Sequence, residues 1–247
     1  YILFGINMKY HISATFLIGL LASQSAFAQE IQITEIHTSN SLGGNFNMLI
    51  FGAGLGHVGP VFYGDAEKSN LHLKLAISKS KYSSNYDSVP GQGTNNGQKL
   101  LLAYGAQISE STNVTLTGGA SNRRIKVRPA TASSPSDTNE WGPFVSADIY
   151  TYFGDKGSVY ALAEYDDTGS AYAMATYVKP FGNINVGPSI KYVSDKNYES
   201  SSLGITASYK FNKNLELTLS AGRIKARVVK FPTEYGNYLD FILKISF

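Results

Sequence analysis

Beyond Ala28 the apolar residues recur at every second position, and no apolar run reaches 18 residues. Alternation at a period of two is the signature of a β-strand, whose side chains point to opposite faces in turn. The absence of a long apolar run excludes a membrane-spanning helix in that part of the chain. In 203–211, Leu203, Ile205, Ala207, Tyr209 and Phe211 oppose Gly204, Thr206, Ser208 and Lys210. In 215–221, Leu215, Leu217, Leu219 and Ala221 oppose Glu216, Thr218 and Ser220. The same pattern runs through 71–78, 145–152 and 184–192. About twelve such segments can be marked, near 31–39, 46–58, 70–83, 98–109, 113–125, 142–153, 158–166, 170–180, 183–193, 199–211, 214–228 and 235–247.

Alternation alone fits a soluble sandwich as well as a membrane barrel. Segment length favours the barrel, because most segments exceed the roughly 9–11 residues that a tilted strand needs to cross a bilayer. The connections are expected to alternate. Short links follow the even-numbered segments, at 110–112, 154–157, 181–183 and 212–214, and long ones follow odd-numbered segments, at 84–97 and 126–140. That pattern would put both chain ends in the periplasm. The last segment ends on Phe247, with Ile245, Leu243, Phe241 and Leu239 in register before it. A terminal Phe on such a strand is similar to the signal that outer-membrane barrels present to their insertion machinery. The expected fold is therefore all-β, a single antiparallel up-and-down transmembrane β-barrel of about 12 strands.

Residues 1–28 read as a secretory signal peptide, with Met8 as the natural start, Lys9 in a positive region, an apolar core from Ile12 to Ala22, and the small-x-small site Ala26-Phe27-Ala28. The barrel then occupies 29–247, and the expected location is the cell outer membrane. Composition agrees. Only 16% of the residues are charged, while 17 Tyr and 13 Phe make the chain too aromatic to be disordered. With no Cys there is neither a disulfide framework nor a thiolate zinc site. A net charge of +3 is too small for a nucleic-acid binder.

The inward face is expected to hold Lys74, Arg123, Asp148, Glu164, Lys191, Lys210, Glu216, Asp240 and Lys244. Mixed charges inside such a barrel either neutralise one another and plug the lumen or line a narrow polar conduit. Tyr150, Tyr152, Tyr160 and Tyr238 could stack on sugars, but the interfacial aromatic girdle is the preferred reading for them. Two basic groups stand toward the outer rim, Arg123, Arg124, Lys126 and Arg128 on one strand and Arg223, Lys225, Arg227 and Lys230 on another. Arg123, Arg124, Arg223 and Arg227 are the candidate contacts to lipopolysaccharide phosphate, set against plain solvated loop bases. A bulge near Gly222 would shift the facing there. Catalysis finds little support. His37, His57 and His72 are the imidazoles beyond the signal segment, no G-x-S-x-G elbow is present, and the three are too scattered for a metal cluster. No cofactor is expected.

Several stretches resemble the cellulose biosynthesis protein BcsS family of Gram-negative bacteria. They are Gly187-Pro188 followed by Asp195-x-x-Tyr198 and Leu203-Gly204; Ala163-Glu164-Tyr165 leading to Tyr172; and Pro135-x-Asp137-x-Asn139 with Gly142. The resemblance spans most of 45–247 and departs in the first strand. It implies an outer-membrane, non-enzymatic accessory role in cellulose or exopolysaccharide biosynthesis or secretion, and offers no catalytic residue to carry over. The partners expected are outer-membrane lipid and lipopolysaccharide, with polysaccharide and the cellulose synthesis machinery as further candidates. A small general or solute-specific porin is the alternative reading, and an outer-membrane lipid-modifying enzyme the third.

Overall fold

A computed structural model describes residues 30–56, 71–86, 89–128, 137–196, 198–212, 214–228 and 232–247. The expected signal segment, His57, Lys230 and the side chain of Arg128 lie outside the described residues. The described residues form twelve strands: β1 (Glu30–Asn40), β2 (Asn45–Gly56), β3 (Leu71–Tyr86), β4 (Val89–Ser109), β5 (Thr112–Arg128), β6 (Asp137–Tyr152), β7 (Ser158–Asp166), β8 (Ser170–Phe181), β9 (Ile184–Asp195), β10 (Tyr198–Asn212), β11 (Leu215–Val228) and β12 (Glu234–Ser246). Each pairs antiparallel with its neighbours in sequence, and β1 pairs with β12 from Gln32↔Ser246 to Asn40↔Tyr238, which closes the barrel. Closure leaves no open edge and satisfies the backbone donors and acceptors between strands, the condition for spanning hydrocarbon.

The alternation sorts the side chains as the sequence predicts. Leu73, Leu75 and Ile77 on β3, Leu100 and Leu102 on β4, Val145 and Ile149 on β6, and Leu203 and Ile205 on β10 are all exposed on the outer wall. Between them many inward positions are small or polar, among them Ala76, Ala103, Thr117, Ser121, Ser189, Thr206 and Ser220, all buried. An apolar outside and a polar inside is the inverse of a soluble protein, and the shape that lipid requires. Exposed outer-wall aromatics gather near both ends of the strands: Trp141, Tyr165, Tyr192 and Tyr235 toward one end, Tyr177, Phe181, Phe211 and Phe247 toward the end that carries the termini.

Two expectations need correction. The links do not alternate long and short. The stretch 84–97 is largely strand, because Asn85↔Pro90 and Tyr86↔Val89 continue the β3–β4 ladder past its apolar part and leave only residues 87–88 between the strands. Polar side chains there do not prevent backbone pairing, since hairpin hydrogen bonds are indifferent to which side chains flank them. The 57–70 link, at the end carrying the termini, is longer than residues 129–136 at the opposite end. Nor is there a bulge at Gly222. The β10–β11 and β11–β12 registers run unbroken through it, with the β10–β11 shift at Lys210/Asn212 instead. The facing therefore holds to the top of β11, with Ile224 and Ala226 buried inward and Arg223, Lys225 and Arg227 exposed outward.

One inward rung shows why glycine is needed in this wall. Ser189, Gly204, Gly222 and Tyr238 are successive cross-strand partners from β9 to β12. A Cβ on Gly204 would collide with the Tyr238 hydroxyl and the Ala221 carbonyl, and one on Gly222 with the Leu203 carbonyl. The Tyr238 side chain thus lies across two glycines, is 5% exposed, and brings its hydroxyl within 3.5 Å of Ser189 Oγ. Gly182, at φ 63°, meets a different need, the left-handed conformation of the two-residue turn between β8 and β9. Replacing Gly204 by Val should overpack the rung and cost about 1–3 kcal/mol. Urea unfolding in detergent micelles, followed by the gel-mobility shift between folded and unfolded barrel, would show a lowered midpoint. G182A should leave the packing of that rung untouched.

Candidate functional site

The chemistry concentrates inside the barrel, where alternate positions of nine strands bring charged groups of both signs together. Arg123 on β5 reaches across β6–β8 to Asp195 on β9. Its Nη1 donates to Asp195 Oδ1 at 3.0 Å and to Ser170 Oγ at 2.8 Å, and Nη2 makes a second contact with the same carboxylate. Lys191 on β9 pairs with Asp240 on β12, and its ammonium also stands 5.0 Å from the centre of the Tyr238 ring. Lys99 on β4 lies 3.9 Å from the centre of the Phe144 ring and 4.0 Å from Glu164 on β7. Lys74 on β3 sits in the field of Asp148 and Glu164, and Thr115 is the cross-strand partner of Asp148. Lower down, Lys210, Glu216 and Lys244 share one rung of β10–β12 with alternating sign.

The strand lengths explain the longest of these bridges. β7 ends at Asp166, opposite Phe144, so β6 stands seven residues taller, from Asp137 to Pro143. The β7–β8 turn folds into the gap: Asp167 N–H donates to the Pro143 carbonyl, and the Thr168 N–H and hydroxyl both donate to Asp166 Oδ1. Above it, Lys196 Nζ donates to Glu140 at 3.0 and 3.1 Å. Arg123–Asp195 and Lys196–Glu140 thus tie the tall side of the mouth to β9 over a low stretch of wall.

Each expected lumen residue, Lys74, Asp148, Glu164, Lys191, Glu216 and Asp240, has the inward parity, with Asp240 3% exposed. Lys99, which the sequence reading passed over, belongs with them. It falls on the inward parity of β4, but the consecutive Leu100, Leu101 and Leu102 that follow it break the alternation that would assign its face. Of the four arginines expected to meet lipid phosphate, Arg123 must be withdrawn, because it is one residue out of phase with Arg124 and points inward to Asp195. Arg124, Arg223 and Arg227 are on the outer wall. The tyrosines also need correction. Tyr150, Tyr160 and Tyr238 take the inward parity, with Tyr160 directly opposite Tyr150 on the β6–β7 ladder, so they are not girdle residues.

Imidazoles do not assemble into a site. His72 has the inward parity of β3, whereas His37 is on the outer wall, with Nε2 2.9 Å from Glu35 Oε1, Nδ1 against Asn47 and Phe241 beside the ring. This outward polar trio on β1 and β2 was missed, because the first strand mixes its alternation. Among the described residues no cluster of three or more His, Cys, Asp or Glu side chains is placed to hold a metal ion.

Residues 52–247 match the family described as cellulose biosynthesis protein BcsS. The chain belongs to that family. The match takes in β3–β12 and leaves out β1 and most of β2. Comparison with curated proteins gives no match. Among solved structures, the translocator domain of autotransporter NalP from Neisseria meningitidis has a TM-score of 0.50 at 10% identity, covering 97% of this chain and 96% of that one. The KdgM porin has a TM-score of 0.47 at 11% identity, covering 87% and 99%. The P. putida toluene transporter TodX has 0.46 at 6%, covering 88% of each. At such identities the likeness is one of barrel fold alone.

Two predictions follow from the charges of this BcsS-family chain. D240N would strand the Lys191 ammonium in the wall and should cost about 3–5 kcal/mol, whereas an isosteric apolar pair, K191M with D240L, should restore most of that. Urea titration of the three proteins in micelles compares them directly. At the rim, Asp137 accepts from Arg124 Nε at 2.9 Å and from Nη2 at 2.6 Å, which holds its carboxyl below the ordinary value of 3.8. The stability this adds is present above the ordinary carboxylate range and is lost as pH falls through the lowered value. In R124A the Asp137 carboxyl should titrate closer to 3.8, as seen by carbon NMR of the labelled side chain.

Proposed function

We propose that this barrel resides in the outer membrane and assists cellulose or exopolysaccharide biosynthesis or secretion without catalysing a reaction, its lumen closed by its own charges. Residues 1–28 would be the export signal that takes it there. Membership of the cellulose biosynthesis protein BcsS family supports the process. The observation that carries the mode of action is the set of pairs across the interior. Lys99–Glu164, Arg123–Asp195 and Lys191–Asp240 together bridge β4 to β12, and each pair occupies space that a passive pore would keep open. Charges paired this way are also poorly placed to select a solute, since each already faces an opposite charge. Lipopolysaccharide would surround the outer rim, where Arg124, Arg223 and Arg227 face outward, and the cellulose synthesis machinery would be the functional partner. Nucleic acid has no place in this reading.

Deleting the gene should lower extracellular glucan, and wild-type chain supplied in trans should restore it. Unchanged glucan would count against the accessory role. In planar bilayers the purified barrel should show no large steady channel, and R123A combined with D195A should raise the conductance by opening the mouth. A large steady conductance of the wild type would favour the porin reading instead.

A further inference from the structure

On the outer wall of β11, Arg223, Lys225 and Arg227 occupy alternate positions and form a column that begins one rung above the apolar surface. At the rung below, Ala221 stands between Ile205 and Leu239. At the next, Arg223 lies between Leu203 and Asn237, and above it Lys225 lies between Ser201 and Tyr235. The border between hydrocarbon-facing and charged surface therefore falls between two adjacent rungs of one strand. A groove of about 210 Å³ opens beside the column, lined by Tyr192, Glu199, Ser201, Lys225, Arg227 and Thr233 together with Ser200 and Ala226 of the inward parity. Two exposed aromatic rings flank it, Tyr192 on β9 and Tyr235 on β12.

The charges of this column are only partly spent. Arg227 Nη2 donates to Glu199 at 3.2 Å, and Arg223 Nη1 donates to the neutral Asn237 amide oxygen at 3.1 Å. Among the described residues Lys225 has no hydrogen-bond or ion-pair partner. Glu234 stands opposite Ala226, on the inward parity, and does not neutralise the column. The other basic rim, on β5, is different. The Arg124 fork grips both oxygens of Asp137, and Lys126 reaches the same carboxylate at 3.8 Å. A guanidinium already held bidentately by a carboxylate has little to offer a phosphate, whereas one holding a single neutral amide keeps most of its donors.

We propose that the β9–β12 face of the outer wall, around Arg223, Lys225 and the adjoining groove, is a binding site for one phosphorylated glycolipid of the outer leaflet, and that the β5–β6 rim is not. Acyl chains would lie along Ile205, Ala221 and Leu239, a phosphate would sit on Lys225 and the free donors of Arg223, and the sugar would rest against Tyr192 or Tyr235. This rests on the reading that the barrel resides in the outer membrane and sharpens it from a charged rim to one site.

The test is native mass spectrometry of the purified barrel in detergent, with lipid A as the probe. Wild type and R124A should each retain one lipid A. R223A with K225A should bind at least about tenfold more weakly, equivalent to ~1.4 kcal/mol. Dephosphorylated lipid A should bind poorly, and inorganic phosphate should not displace the lipid. Equal retention by the double variant, loss in R124A as large as in the double variant, or displacement by inorganic phosphate would each overturn the site. Should the alanine pair fail to give the folded gel mobility, R223Q with K225Q replaces it with the same expected loss. Glucan yield of a strain carrying the double variant is read separately. Normal glucan with lost lipid A would leave the accessory role standing, and retained lipid A in a barrel whose deletion leaves glucan unchanged would leave the site standing.

Discussion

The pairing of β1 with β12 is the interaction on which everything else depends. An open sheet of twelve strands would present two rows of unpaired backbone groups, each costly in hydrocarbon. The seam removes both rows, from Gln32↔Ser246 to Asn40↔Tyr238, and is finished at the rim by the reciprocal Ile31–Phe247 backbone bonds. The strand that closes the barrel is also the least suited to face lipid. Its outward positions include Glu35, level with Leu243 and Leu49, and His37, level with Phe241 and Asn47. Those polar groups are held against one another rather than left bare, so the seam tolerates them.

Closure then dictates the interior. In a barrel of this size inward side chains from non-adjacent strands meet, and much of what meets here is small, hydroxylated or oppositely charged. The Ser189–Gly204–Gly222–Tyr238 rung and the Lys191–Asp240 pair are two aspects of one arrangement: glycines lower the floor, the tyrosine ring fills it, and the lysine sits over that ring while reaching the aspartate. The short stretches that carried the family resemblance fall on this framework. Asp195 receives Arg123, Glu164 receives Lys99, and Gly204 makes room for Tyr238.

Much of this was legible from the residues. A period of two specifies which face each residue takes as soon as one residue of a strand is placed, so Lys74, Asp148, Glu164, Lys191, Glu216 and Asp240 could be put inside without coordinates. What failed has a common cause. Register across strands is not written in the alternation, so nothing indicated that Arg123 would meet Asp195 or that Lys99 would join Glu164. Parity also fails where the apolar residues stop. The polar 84–97 stretch reads as loop although it pairs as strand, and Arg123, which parity places inside, was also grouped with Arg124 at the outer rim although neighbours on a strand face opposite ways. Glu35 and His37 were hidden for the converse reason, polar residues on the face that should be greasy.

The seam has a kinetic corollary. Its partners sit at opposite extremes of the described chain, so the contacts that abolish the last free edges join Gln32 to Ser246 and close a loop that contains every other hairpin. Contacts of such sequence separation are intrinsically slow to form, and until they do the nascent sheet offers two sticky borders to any neighbouring strand. Assembly is therefore closer to the fastening of a ring than to the stacking of hairpins. A helper that speeds it would have to hold both borders at once, the β1 edge and the β12 edge.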